Sequence, residues 1–193
     1  GLYGTSNNFI YPNGKIISED FSRLFRGKKT GIIKDYFGLF ANIHKSPFSN
    51  SNVCIPKDIY NEFGGYKVGV KLTEDSDLWC RIALKYPVAF NVLPLANYFL
   101  AIQGSTHTVF EEDDFEVAKT LQSALDAGDI KPDLQKSVKK LITFQKVSAV
   151  KRALMVGNKK FVAKKLFNAK IITFYPKEFL ICFGSLLVPN KIF

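Results

Sequence analysis

The chain has 193 residues, 47% of them apolar and 23% charged, with 18 Phe, 8 Tyr and 1 Trp. This is core-forming composition for one sizeable core, or a core plus an appendage, and it excludes both a disordered chain and a small disulfide-stapled module. The net charge of +10 is unevenly placed: residues 1–129 hold 13 basic against 15 acidic side chains, net −2, and residues 130–193 hold 14 against 2, net +12.

A uniformly basic chain would point to nucleic acid, whereas this distribution points to a basic surface appended to a nearly neutral domain. Cys54, Cys80 and Cys182 are odd in number and lack a Cys-x-x-Cys pair, so neither a disulfide scaffold nor a zinc site is expected and a reducing compartment is. The longest nearly apolar run, 179–188, is far short of the roughly 20 residues of a spanning helix. The sole Met is Met155 and the chain opens at Gly1, which reads as a fragment or trimmed chain.

In chain order, residues 1–10 carry strand-like spacing, and Tyr11-Pro12-Asn13-Gly14 before Lys15-Ile16-Ile17 predicts a hairpin. Residues 32–41 are apolar at 32, 33, 36, 37, 39 and 40, which predicts a short buried helix. Asn52-Val53-Cys54-Ile55 reads as a buried strand. Pro56 then opens a two-turn helix over 56–63 that Gly64-Gly65 ends. Thr73 is placed to cap the next helix, whose stripe is Leu78, Trp79, Ile82, Ala83 and Tyr86, with Asp77 and Arg81 paired at i,i+4 and Glu74 and Asp75 in the first turn.

Strands follow at 88–93 and 98–102, then an acidic linker at 111–116. Beyond it the pattern is helical, over 115–127, 131–156 with a break, 159–170 and 176–187. The stretch 150–166 faintly resembles a single tetratricopeptide helix-turn-helix, which one copy cannot distinguish from any helical hairpin. The boundary falls near residue 110: residues 1–110 form an α/β part and residues 111–193 a basic helical region.

Phe63-Gly64-Gly65-Tyr66, eight intervening residues, and then Glu74-Asp75-Ser76-Asp77-Leu78-Trp79-Cys80-Arg81 give the sharpest feature. With Ser49 to Lys57 before it and Tyr86-Pro87-Val88-Ala89 to Pro94-Leu95-Ala96-Asn97-Tyr98 after it, this ordered pattern resembles glycosyltransferase family 2, the inverting transferases of the GT-A fold. The resemblance covers about residues 1–105 and implies the acceptor-side part of a GT-A domain followed by a helical appendage. The nucleotide-binding half is then missing from this chain.

By the same resemblance Asp75 is the catalytic base. A sugar hydroxyl is a poor nucleophile, and a carboxylate within hydrogen-bond reach takes its proton as the oxygen attacks the anomeric carbon. The helix dipole is expected to hold Asp75 ionised without a raised pKa. Glu74, Gly65, Trp79 and Arg81 are the candidate acceptor-side residues, with Glu74 orienting and Trp79 either packing beneath the site or offering a stacking face. The plainer readings stand beside these: acids in a first helical turn stabilise many helices, Trp79 lies on the apolar stripe, Arg81 is a partner for Asp77, and Gly64 and Gly65 end a helix.

The family holds Mg²⁺ or Mn²⁺ on the donor diphosphate with a strand-terminal Asp-x-Asp. Asp75-Ser76-Asp77 has the letters but precedes a helix, so the metal motif is expected outside this chain. No metal ligand is assigned; of His44 and His107, His107 is the better placed, because some GT-A enzymes draw a late ligand from that region. Ser49, Asn50, Ser51 and Asn52 are candidates for hydrogen bonds to a sugar, or an ordinary loop.

The implied partners are a nucleotide-sugar donor and a glycan or lipid-linked acceptor. Lys139, Lys140, Lys146, Lys151, Arg152, Lys159, Lys160, Lys164 and Lys165 are either solvated helix faces or an anionic-membrane contact at about 1 kcal/mol per near-surface charge, with Phe174, Tyr175, Phe179 and Leu180 inserting. Nucleic acid is not expected, since Lys far outnumbers Arg there and no recognition motif is present. The expected location is cytoplasmic, with a peripheral position at the inner face of the cell membrane as the alternative if the basic helices bind lipid. The competing function is a non-catalytic helical interaction or membrane-surface module on an α/β remnant.

Overall fold

The computed structural model describes residues 1–100 and 115–187. The chain is mixed α/β with a curled mixed sheet, and it divides into two compact units, Gly1–Ser105 and Thr106–Phe193.

In the first unit, β1 (Leu2–Ile10) is the spine of the sheet. It pairs in parallel with β5 (Val88–Phe99) on one side. On the other side it pairs antiparallel with β4 (Val53–Cys54) near its start and with β2 (Ile16–Ser18) near its end. β3 (Thr30–Ile33) pairs antiparallel with β5 and closes the order β2-β1-β5-β3 as an edge strand. The β1–β2 hairpin is as predicted: Gly14 takes a φ of +78°, and its N–H donates to the Tyr11 carbonyl at 2.9 Å.

Four expectations change here. Residues 32–41 are not one helix, because Ile32 and Ile33 pair with β5, and Asp35 then starts α1 (Tyr36–Ile43) by accepting from the Gly38 N–H at 2.8 Å. The strand at 52–55 shrinks to β4, with Cys54 exposed, and only Asn52 of that stretch is buried. Strands 88–93 and 98–102 are one strand as far as Phe99, and residues 101 and 102 lie outside the described residues. Pro94, which has no N–H to donate, is absorbed by register shifts opposite Thr5, Ser6 and Asn7. The helix at 56–63 is α2 (Lys57–Glu62), shorter by a residue at each end, with Pro56 as its N-cap.

Against one sheet face pack α1 and α3 (Glu74–Lys85) through an aromatic core. The Phe48 ring stacks on Tyr36 at 5.8 Å and meets Trp79 edge-on and Phe90 at a tilt. Gly4 permits this, since a Cβ there would lie 2.1 Å from the Phe48 ring.

The second unit is helical: α4 (Glu116–Asp126), a 3₁₀ turn (Pro132–Leu134), α5 (Gln135–Met155), α6 (Lys159–Leu166), α7 (Ala169–Phe174) and α8 (Pro176–Leu187). The expected break in 131–156 is the 3₁₀ turn, and α5 runs on unbroken. Its buried residues include Val138, Ile142, Val147 and Val150, which point in several directions, because the other four helices of the unit surround it. The helix expected over 159–170 is two helices. Asn158 caps α6 through the Phe161 N–H, and Asn168 starts α7 by accepting from the Lys170 N–H at 2.9 Å. Gly157, at φ +74°, turns α5 into α6, so residues 150–166 span one helical hairpin. The acidic linker at 111–116 lies almost wholly outside the described residues. No helix among the described residues is long and apolar enough to cross a membrane.

Candidate active site at the head of α3

The start of α3 is built from both sides. Behind it, Asp77 is fully buried and pairs with Arg81 at 2.8 Å and with the Lys67 ammonium at 3.4 Å. The Arg81 guanidinium also donates to the carbonyls of Phe63 and Gly65, so it ties the end of α2 to α3. The Gly64-Gly65 turn makes this possible. Gly65 has φ +64°, and a Cβ there would meet the Tyr60 hydroxyl at 2.5 Å. Arg81, an expected acceptor-side residue, is therefore the clamp that positions the loop.

In front, Thr73 holds the N-cap position, but its side chain does not cap. Its backbone is left-handed at φ +62°, a costly conformation for a β-branched residue, and its hydroxyl is buried with no hydrogen-bond partner. Local strain thus sits two residues from the candidate base. Asp75 is half-buried, and its Oδ1 accepts from the Ser76 N–H at 2.5 Å and the Ser76 hydroxyl at 3.1 Å.

The expectation that the dipole alone sets the Asp75 charge is corrected. Burial raises its pKa above the ordinary 3.8, and the Ser76 bonds only partly oppose this. A carboxylate destabilised in its charged form is a better proton acceptor than a solvated one.

Beside Asp75 lies an aromatic ledge that periodicity alone does not reveal. Tyr66 is exposed, its ring meets Tyr60 edge-on at 5.9 Å, and its hydroxyl donates to Asn50 Oδ1 at 2.8 Å. Burial, then the Asp75 carboxylate, then Tyr60 and Glu74 push the Tyr66 pKa up, which places this hydroxyl within the field of both acids. The Ser-Asn cluster divides accordingly. Asn52 is buried, donates to the Thr5 carbonyl at 2.6 Å and accepts from the Ser49 N–H, so it stitches the loop to β1, while Asn50 faces the ledge.

Trp79 is 0% exposed, which removes the stacking-face reading and leaves it beneath the site, its indole N–H without a partner. The Cys80 thiol is likewise fully buried, and burial, then Asp77 and Asp75, push its pKa well up, so it is no nucleophile. Glu74 opens α3 at intermediate exposure.

As a metal pair, Asp75-Ser76-Asp77 does not fit, because the Asp77 carboxylate is buried against Arg81 and Lys67. Among the described residues no cluster of three or more His, Cys, Asp or Glu side chains is suited to a metal, and His107 lies outside them. His44 takes the left-handed position that ends α1. A cleft of about 680 Å³ lies elsewhere in this unit, lined by Phe25, Arg26, Lys28, Ile32, Lys34 and Asp35 among others; none of the expected site residues lines it.

Comparison with known proteins found no matching family model, no matching curated protein and no matching solved structure.

Proposed function

We propose that this chain is the acceptor-side part of an inverting glycosyltransferase of the GT-A kind, which in the intact enzyme moves a sugar from a nucleotide-sugar donor to a hydroxyl of a glycan or lipid-linked acceptor. The observation that carries the reading is Asp75: a half-buried carboxylate of raised pKa, held by Ser76 at the strained head of a helix and bordered by an open Tyr-Asn ledge. Strained backbone and perturbed carboxylates both concentrate at functional sites, which supports this reading.

In this mechanism the acceptor lies on Tyr60 and Tyr66, whose faces suit the apolar side of a sugar ring, and hydrogen-bonds to Asn50. With Oδ1 held by Ser76, Asp75 Oδ2 takes the hydroxyl proton as the acceptor oxygen bonds to the anomeric carbon. The bond from that carbon to the donor diphosphate breaks on the opposite face, and the nucleoside diphosphate leaves with the electron pair. Glu74 orients the acceptor, and Arg81 fixes the loop through the Gly65 carbonyl. A divalent metal on the donor diphosphate would neutralise its charge as it leaves, and the Asp-x-Asp that would hold it is expected outside this chain.

The test is Asp75→Asn in the full-length protein, with transfer to acceptor followed directly. The amide is nearly isosteric but cannot take the proton, so turnover should fall about 10² to 10⁴-fold with the fold unchanged. Turnover within a few-fold of the parent would remove Asp75 from the role.

A further inference from the structure

Among the described residues, the helical unit carries an outward apolar face on α8. On α8, Cys182 points inward and is buried, while Leu180, Ile181 and Leu187 are 65%, 64% and 73% exposed. At 100° per residue, Lys177, Leu180, Ile181, Gly184 and Leu187 share one side of the helix, and Glu178 borders it, about 60° beyond Ile181. Phe167, itself exposed, extends the patch: its ring contacts those of Phe179 and Phe183, each at 6.0 Å.

Lysines lie on this face and close to it in sequence. Lys177 is on the face itself, Lys164 and Lys170 flank Phe167 in sequence and are exposed, and the Lys159 ammonium comes within 3.5 Å of the Leu186 carbonyl, which brings the lysine-rich start of α6 beside the end of α8. The inserting residues expected from sequence change accordingly. Tyr175 is buried, and Phe179 is stacked on Phe183 within the cluster, so Leu180, Ile181 and Leu187 form the outward face.

We infer that this face seats the protein on an anionic lipid surface, Leu180, Ile181 and Leu187 entering the acyl boundary while Lys164, Lys170 and Lys177 meet the headgroups. Charge selects this occupant. A second copy would bring a second net-positive unit against the first, residues 106–193 holding 15 basic against 9 acidic side chains, with Asp133 and Glu178 the acids of residues 130–193, where the face lies. A negative bilayer complements both the apolar face and its rim, and apolar insertion plus a basic patch is the two-part signal that stable peripheral binding needs. The inference stands apart from the transfer chemistry, since Asp75 belongs to the other unit.

The experiment is co-sedimentation of the full chain with phosphatidylcholine vesicles, with and without phosphatidylglycerol, across a salt series. Binding should require the anionic lipid and should weaken towards about 1 M salt, where charges are screened within about 3 Å. Leu180→Ser with Leu187→Ser should lower the partition coefficient about tenfold or more. Lys164→Gln with Lys170→Gln and Lys177→Gln should weaken low-salt binding and flatten its salt dependence. Melting curves of both variants establish that the loss is not unfolding, and the lysine set alone decides if the leucine pair fails to fold. Equal binding to both vesicle types, or none to either, overturns the inference. So does a lipid-free dimer in sedimentation velocity that Leu180→Ser with Leu187→Ser dissolves.

Discussion

Asp75 and Thr73 place two costs within one turn of chain. Because burial raises the Asp75 pKa in the folded state, the stability linked to this group is full below its ordinary value of 3.8 and is lost as pH rises through the folded value. Asp75→Asn should therefore melt at or above the parent temperature at pH 7, with the difference closing as pH falls towards 3.8; a variant less stable at pH 7 than at pH 4, relative to parent, would contradict the burial account. Thr73 holds φ +62°, and glycine relieves that conformation. Thr73→Gly should gain about 1 kcal/mol in urea unfolding, and if the strain positions Asp75 it should also lower turnover. A gain in stability with no change in turnover would separate the strain from the chemistry.

At the scale of elements, α2 and α3 are joined by Arg81 more than by apolar packing, for α2 buries none of its side chains. Arg81→Met removes the bonds to Asp77, Phe63 and Gly65 and leaves a fully buried carboxylate without its guanidinium partner. The expected loss is about 3–5 kcal/mol in denaturant unfolding, and Asp77→Leu added to Arg81→Met should restore part of it, because the uncompensated charge is then gone. This clamp was half legible in the sequence. The Asp77–Arg81 pair is local and follows from i,i+4 spacing, whereas the two carbonyls it also binds lie 16 and 18 residues away. The same distinction runs through the fold. Helices α3 and α8 and the first hairpin rest on short-range periodicity and turn chemistry. Ile32 and Ile33 fit a helical stripe as well as a strand, and only their pairing with Ala89 and Val88 decides between them. Tyr60 and Tyr66 meet across a glycine turn, so no spacing rule joins them, although Asp75 itself stood out by its place in an ordered motif.

For the whole molecule, both units are net positive, residues 1–105 with 12 basic against 8 acidic side chains and residues 106–193 with 15 against 9, but in the helical unit the cations are concentrated from residue 130 onward, where Asp133 and Glu178 are the acids. Self-repulsion within that stretch lowers the stability of the helical unit at low ionic strength. Thermal unfolding should show two transitions, and the helical one, followed at 222 nm by circular dichroism, should move up in temperature as salt rises from low to physiological levels, where charges are screened within about 8 Å. The transition of the α/β unit, whose acids are interspersed with its lysines, should move less; a single transition, or equal shifts, would show that the units do not melt separately. The α/β unit faces a different hazard, which follows from β3. An edge strand offers its unpaired N–H and C=O groups to any other extended chain, and Ile32, 54% exposed, makes this one attractive. Its neighbours in sequence are Lys28 and Lys29 before it and Lys34 after it. Two copies pairing along this edge would bring like charges together at both ends of a four-residue ladder, too short a run of bonds to offset the repulsion. The lysines thus oppose edge-to-edge pairing at β3.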